Sequence, residues 1–228
     1  MNDLPSLCVL IPVLGRPANA PKVIASLQAA TPSATFMFLC SPTDDEEITT
    51  CEQLGWTIVM EKPAGQGDYA YKLNHGYQIA IDHGYEWMFL GADDLVFHNR
   101  WYELCLEAHQ RGNACVIGTK DLGNKRTMNG WHSTHTLVHR DYLECGTIDE
   151  EGIILCPLYQ HEFVDDEFIH TARMRRTYVG SQAIVEHNHP DWGKAEWDDT
   201  YRKAQANRTI DQALYNSRRA MFASRQGR

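Results

Sequence analysis

Short apolar runs alternate with segments of helical period through the first 120 residues. Leu7-Cys8-Val9-Leu10-Ile11 is unbroken until Pro12, which predicts a buried strand, and Pro21 to Ala30 spaces its apolar positions as a helix does. Thr35 to Leu39 predicts a second strand. Ser41-Pro42-Thr43-Asp44 then opens a helix whose first turn gathers Asp44, Asp45, Glu46 and Glu47, acids that the helix dipole favours there, and Gly55 closes it. Trp56 to Met60 predicts a strand, Pro63-Ala64-Gly65-Gln66-Gly67 a loop, and Tyr69 to His83 a helix stopped by Gly84. Trp87-Met88-Phe89-Leu90 predicts the next strand, Trp101 to Gln110 a helix, and Ala114 to Ile117 a strand. Such alternation predicts an α/β fold, a mainly parallel sheet with helices on both faces.

The pattern loosens afterwards. His135 to Val138 predicts a strand, Arg140 to Glu144 a short helix, Asp165 to Arg176 a helix, and Ala183 to Glu186 a strand ending in His187-Asn188-His189-Pro190. Asp198 to Phe222 holds enough Ala, Arg, Gln and Leu for a C-terminal helix, with a break expected near Asn207. No repeat, low-complexity tract or linker interrupts the chain, so one domain is expected.

With 228 residues, 43% of them hydrophobic and 22% charged, the chain can bury a single sizeable core. No apolar stretch approaches the roughly 18 residues that span a bilayer. The start, Met1-Asn2-Asp3-Leu4-Pro5-Ser6, lacks a positive n-region, so a cytoplasmic protein without a membrane partner is expected. Cys8, Cys40, Cys51, Cys105, Cys115, Cys145 and Cys156 are scattered with no C-x-x-C pair, and read as reduced core residues rather than zinc ligands. A net charge of -9 argues against a surface that coats nucleic acid broadly. From Tyr201 onward, however, Arg202, Lys203, Arg208, Arg218, Arg219, Arg225 and Arg228 face one acid, Asp211, a local charge of +6 that leaves -15 on the rest. That tail is either a solvated helix face or a contact for an anionic partner.

Four clusters could carry chemistry. Asp93 and Asp94 follow a buried strand, where carboxylates can hold Mg²⁺ or Mn²⁺ and leave positions open for nucleotide phosphates; a turn or helix cap is the plainer reading. Asp165-Asp166-Glu167 is either the charged first turn of a helix or the source of a general base. His187 and His189, two apart in an extended segment, point to one face and could reach a metal, or are surface residues. In Gly65-Gln66-Gly67-Asp68-Tyr69-Ala70-Tyr71-Lys72-Leu73-Asn74-His75-Gly76 the glycines permit a close backbone approach, and Lys72 and Asn74 could donate to a phosphate or base.

Their order says more than any one of them. Leu7 to Val13, Ser41-Pro42-Thr43-Asp44, Ala70 to Gly76, Leu90-Gly91-Ala92-Asp93-Asp94, Thr136 to Arg140 with Gly146-Thr147-Ile148-Asp149-Glu150, Phe163-Val164-Asp165-Asp166 and Ala183 to His187 follow one another as motifs do in a known family. The chain resembles the GT-A glycosyltransferases, especially the family-two type, over nearly its whole length. The resemblance implies a nucleotide contact at Pro12, Val13 and Asp44, a further contact at Lys72, Asn74 and Asp93, and a base at Asp166. It also implies a late-strand histidine, His187, that binds metal or faces phosphate. Gly91 stands in place of the first acid of D-x-D, so metal binding would rest on Asp93, Asp94 and His187, with His189 second. Asp165 stands in place of the usual Glu, which leaves Glu167 as a lesser base. Short chains of this kind occur in bacteriophages, where glycosylation of modified DNA bases is one implied role.

The expectation is therefore a metal-dependent, inverting glycosyltransferase of GT-A fold using a nucleotide-sugar donor. Residues 1–120 would form the nucleotide-sugar half, 121–197 the acceptor and catalytic half, and 198–228 a basic C-terminal helix. Two alternatives stay open: a nucleotidyltransferase of related fold, and a catalytically silent protein binding sugar or nucleic acid, with Gly91 a sign of decay.

Overall fold

The computed structural model describes residues 4–225; Met1-Asn2-Asp3 and the last residue of the basic tail, Arg228, lie outside the described residues. Apolar runs become strands and periodic segments become helices in the expected order. The first half comprises β1 (Leu7–Pro12), α1 (Ala20–Ala30), β2 (Thr35–Cys40), α2 (Asp45–Leu54), β3 (Trp56–Val59), α3 (Asp68–Asp82) and β4 (Trp87–Leu90). Then come β5 (Leu95–Phe97), α4 (Trp101–Gly112), β6 (Val116–Lys120), α5 (Lys125–Met128), β7 (Thr136–His139), α6 (Val164–Met174), β8 (Tyr178–His187) and α7 (Asp199–Arg225).

The eight strands form one mixed sheet in the order β3-β2-β1-β4-β7-β6-β8-β5. Its first four strands are parallel, as the alternation requires. Beyond β4 the direction mixes: β7 runs antiparallel to both β4 and β6, and β5 antiparallel to β8. The sheet curls, so its last strand, β5, begins just past Gly91-Ala92-Asp93-Asp94 at the end of β4, and Phe89 meets Phe97 edge-on at 5.5 Å. Alternation along β1 assigns its faces: Leu7, Val9 and Ile11 pack with α1 and α4, whereas Cys8 and Leu10 pack with Leu73 and Tyr77 of α3. All seven cysteines are free, and five are buried.

Gly91 is explained by packing. Its N–H donates to the Leu10 carbonyl at 3.0 Å, and a Cβ there would lie 2.8 Å from that oxygen, so a larger residue would force β1 and β4 apart. Gly67 behaves alike: a Cβ would stand 1.7 Å from the Tyr159 carbonyl, so the expected close approach is to the chain itself and not to a ligand.

The C-terminal helix departs most from expectation. It is continuous through Asn207, whose amide donates to the Lys203 carbonyl at 3.2 Å and so stays within the helix. Nor is it only a solvated basic face. Tyr201, Ala204, Asp211, Arg218 and Phe222 are buried, at intervals that put them on one stripe. Asp211 accepts the backbone N–H groups of Gln160, His161 and Glu162 at 2.8 to 2.9 Å, fixing the loop in which Phe163 takes a left-handed backbone (φ 64°) before α6. Arg218, expected as a cation free for phosphate, is 4% exposed and bonds Glu167 and Asp149. Glu167, 2% exposed, needs the Arg218 charge, since a buried carboxylate without a partner loses its hydration uncompensated.

Arg218→Ala is expected to lower stability by about 3–5 kcal/mol, because it strands a buried carboxylate. The exposed neighbour Arg219→Ala should stay within about 0.5 kcal/mol. Urea denaturation of both variants against the parent checks the difference.

Candidate active site

At the carboxyl ends of β1 and β4, a cavity of about 410 Å³ opens between the strand ends, the start of α6 and the first turns of α7. Pro12, Val13, Asp93, Asp94, Asp165, Asp166, His187 and His189 all line it, as the sequence suggested. Arg16, His132, His135 and Tyr201 join them, and the sequence did not mark these.

Asp93 and Asp94 are buried side by side, at 1% and 7% exposure, so their charges need compensation. Arg16 supplies it, one guanidinium nitrogen on Asp93 and the other 3.2 Å from Asp94 Oδ2. The loop carrying Arg16 hangs from α2: Asp44, the N-cap of that helix, accepts the Gly15 N–H, and buried Glu47 accepts the Arg16 N–H, each at 2.6 Å. The acidic first turn thus holds a cation in place. Asp94 also accepts the Tyr201 hydroxyl at 2.6 Å, and the Tyr201 ring lies under the Arg16 guanidinium at 4.7 Å. His187 Nε2 lies 3.2 Å from Asp94 Oδ1.

Burial and the neighbouring Asp94 charge raise Asp93, against the pull of Arg16. Burial would raise Asp94 too, but His187, Arg16 and Tyr201 together hold it well below the usual carboxylate range. Burial acts to lower His187, and the carboxylates of Asp94 and Asp121 outweigh it and raise this imidazole. Each member of the pair therefore favours the charged form of the other.

A second polar cluster faces the first. Both Asp165 oxygens are engaged, Oδ1 by the Asp166 N–H at 2.9 Å and Oδ2 by His132 at 3.2 Å. Asp166 Oδ1 accepts from Arg126, and among the described residues its Oδ2 has no hydrogen bond. Burial and the Asp165 charge raise Asp166, whereas His132 and the Asp166 N–H overcome burial to lower Asp165. Among the described residues, His132, Asp165 and Asp166 are the only three such donors within 4.8 Å of one another. The expected grouping of Asp93, Asp94, His187 and His189 forms only in part: Asp94 meets His187, and Asp93 turns to Arg16. His189 spends Nδ1 on the Asp191 N–H at 3.1 Å.

Four more expectations are corrected. Lys72 is fully buried, donates to the Val13 carbonyl at 2.8 Å and pairs with Asp68, holding the strand end rather than a ligand. Asn74 donates to the Leu155 carbonyl and accepts the N–H groups of Ile154 and Leu155, which occupies its amide away from the cavity. Asp44 serves the Gly15 backbone as described. Glu167, 2% exposed, accepts from Tyr159 and Arg218 on the far side of α6, so it is no base. These residues share one cause: a buried polar group needs partners, and the scaffold supplied them.

No family model matches the sequence, and no curated protein matches it. Solved structures do. A Mycobacterium tuberculosis glucosyl-3-phosphoglycerate synthase in complex with Mn²⁺ and UDP-glucose is similar at a TM-score of 0.61 and 14% identity, over 90% of this chain and 77% of that one. The Pyrobaculum calidifontis mannosyltransferase PcManGT, in complex with GDP-mannose and Mn²⁺, is similar at 0.59 and 11% identity, over 82% of this chain. This chain spans 58% of the length of that enzyme. The S. aureus TarS fragment 1-349, in complex with UDP-GlcNAc, is similar at 0.55 and 11%, over 87% of this chain and 64% of that one. Likeness at this identity shows the fold, a GT-A mixed α/β sheet with helices. Among the described residues no helix is long and apolar enough to cross a membrane.

With chelator present, His187→Gln is expected to cost about 1.5–3 kcal/mol at pH 6, the range for a hydrogen bond to a charged group. His187 has a raised folded pKa, so the stability it contributes is full below the ordinary imidazole value of about 6.5 and is lost as pH rises through the raised value. The destabilisation should shrink by pH 9, as urea titrations at the two pH values would measure.

Proposed function

We propose that the chain is a metal-dependent glycosyltransferase that moves a sugar from a nucleotide-sugar donor to an acceptor hydroxyl with inversion. The observation that carries this reading is the arrangement of two polar clusters in one cavity of a GT-A fold: Asp94 with His187 on the strand-end side, Asp166 with a free oxygen on the α6 side. Asp94 and His187 would hold the cation of the leaving group on one wall, and Asp166 stands on another, as attack opposite the nucleotide requires.

The donor set fits a divalent cation. Arg16 takes Asp93 Oδ1 and Asp94 Oδ2, while among the described residues Asp93 Oδ2 is buried without a hydrogen bond and Asp94 Oδ1 meets only the His187 imidazole. Two ligands of one octahedral ion at about 2.1 Å lie about 3 Å apart, which the 3.2 Å between Asp94 Oδ1 and His187 Nε2 matches. The carboxylates suit Mn²⁺ or Mg²⁺, with the remaining positions left to phosphate and water. Such an ion would neutralise charge developing on the leaving nucleoside diphosphate. Pro12 and Val13 line the nucleotide side. Asp166 Oδ2 takes the proton of the acceptor hydroxyl; its raised pKa makes it a better proton acceptor than Asp165, whose oxygens are both engaged.

For the acceptor, Lys203 and Arg208 line the cavity on α7, beside exposed Arg126. These cations support an anionic acceptor, and DNA bearing a hydroxylated base, the acceptor of the phage type, is our specific proposal. Arg218 takes no part in it.

Asp94→Asn is expected to abolish Mn²⁺-dependent binding of UDP, GDP and their sugars, measured by calorimetry. Asp166→Asn should keep that binding and lose about 10²-fold to 10⁴-fold in transfer rate. Full transfer by Asp166→Asn would move the base elsewhere. Nucleotide binding without turnover in the wild type, against sugars and hydroxymethylated DNA alike, would make the chain a binding protein.

A further inference from the structure

His135 lines the cavity at 5% exposure, and its environment fixes its tautomer. Its Nδ1 lies 3.1 Å from the Leu90 carbonyl, and a carbonyl only accepts, so Nδ1 carries the hydrogen. A ring this buried with no acceptor facing Nε2 is disfavoured as a cation, so Nε2 presents a bare lone pair. That nitrogen is buried and, among the described residues, has no hydrogen-bond partner. Its backbone is equally fixed, since the His135 carbonyl accepts the hydroxyls of Thr119 at 2.7 Å and Ser133 at 2.6 Å. The ring stands edge-on to His187 at 5.0 Å, on the lining of the cavity that both clusters share.

A rigid, buried, unpartnered acceptor needs a donor from a ligand. Hydroxyl hydrogens of a sugar held between leaving group and base fit the position. We infer that His135 Nε2 accepts a hydrogen bond from a hydroxyl of the transferred sugar, making His135 a specificity-determining residue for the donor glycosyl group. This rests on the donor-site reading above.

The test compares UDP with UDP-glucose and GDP with GDP-mannose, each with Mn²⁺, by calorimetry on the wild type, His135→Phe and His135→Gln. His135→Phe keeps a ring and removes the acceptor, and His135→Gln keeps an acceptor oxygen. Expected for the pair that binds is a loss of about tenfold in nucleotide-sugar affinity in His135→Phe, with less than about twofold change for the free nucleotide and partial recovery in His135→Gln. Equal losses for nucleotide and nucleotide sugar, or none for the sugar, would overturn the assignment while leaving the donor site standing. Absence of binding to the folded wild type would overturn both. Should His135→Phe fail to fold, His135→Gln decides against a deoxyfluoro series of the bound sugar: selectivity for one hydroxyl that matches the wild type supports the assignment, and no selectivity in the wild type removes it.

Discussion

Two carboxylates buried side by side at a strand end cannot both stay ionised without a counter-charge nearby. Much of the polar architecture around β4 answers that demand. Arg16 bridges Asp93 and Asp94, and its own loop is held by Asp44 and Glu47 on α2. His187 arrives from β8 and Tyr201 from α7, so strands and helices from both ends of the chain converge on the same few oxygens. Among the described residues the arrangement leaves Asp93 Oδ2 without a hydrogen bond and gives Asp94 Oδ1 only the His187 imidazole, so the neutralisation is adequate for folding and incomplete for the site.

A second polar system does the corresponding service for α6. Asp211 gathers three consecutive amides ahead of the helix, and Arg218 grips Glu167 one residue beyond Asp166. Asp165 and Asp166 therefore project from a turn fixed at both its entrance and its back. A proton acceptor gains from such fixing, because its distance to a reacting hydroxyl governs its use more than its basicity does.

The strands were legible because each apolar run ends at Gly, Pro or a charge. Leu95–Phe97 was not, since three residues after Asp94 carry too little pattern, and the start of Tyr178–His187 was hidden by Gly180, Ser181 and Gln182. Within the cavity, Asp93, Asp94, Asp165, Asp166 and His187 could be read because acids and histidines stood at element ends. Arg16, His132, His135 and Tyr201 could not, because their roles come from partners distant in sequence. The misread residues are instructive in the opposite sense. Lys72, Asn74, Glu167 and Arg218 carry chemistry-bearing groups, but tertiary contacts consume those groups in holding the chain together.

The long stripe of α7 adds a constraint of phase. Tyr201 closes one cluster and Arg218 the other, roughly 26 Å apart along the helix axis at 1.5 Å per residue. Each residue also turns the helix by roughly 100°, so adding or deleting one between them would swing Arg218 off Glu167 with Tyr201 still on Asp94. The helix thus acts as a ruler that counts angle as well as length. Insertions of seven residues, two turns within a few tens of degrees, would nearly restore the angle yet overshoot the span by about 10 Å. Change in this segment is accordingly confined to substitution on its outer face, where Gln205, Ala206, Thr209 and Gln212 meet only solvent-facing surface.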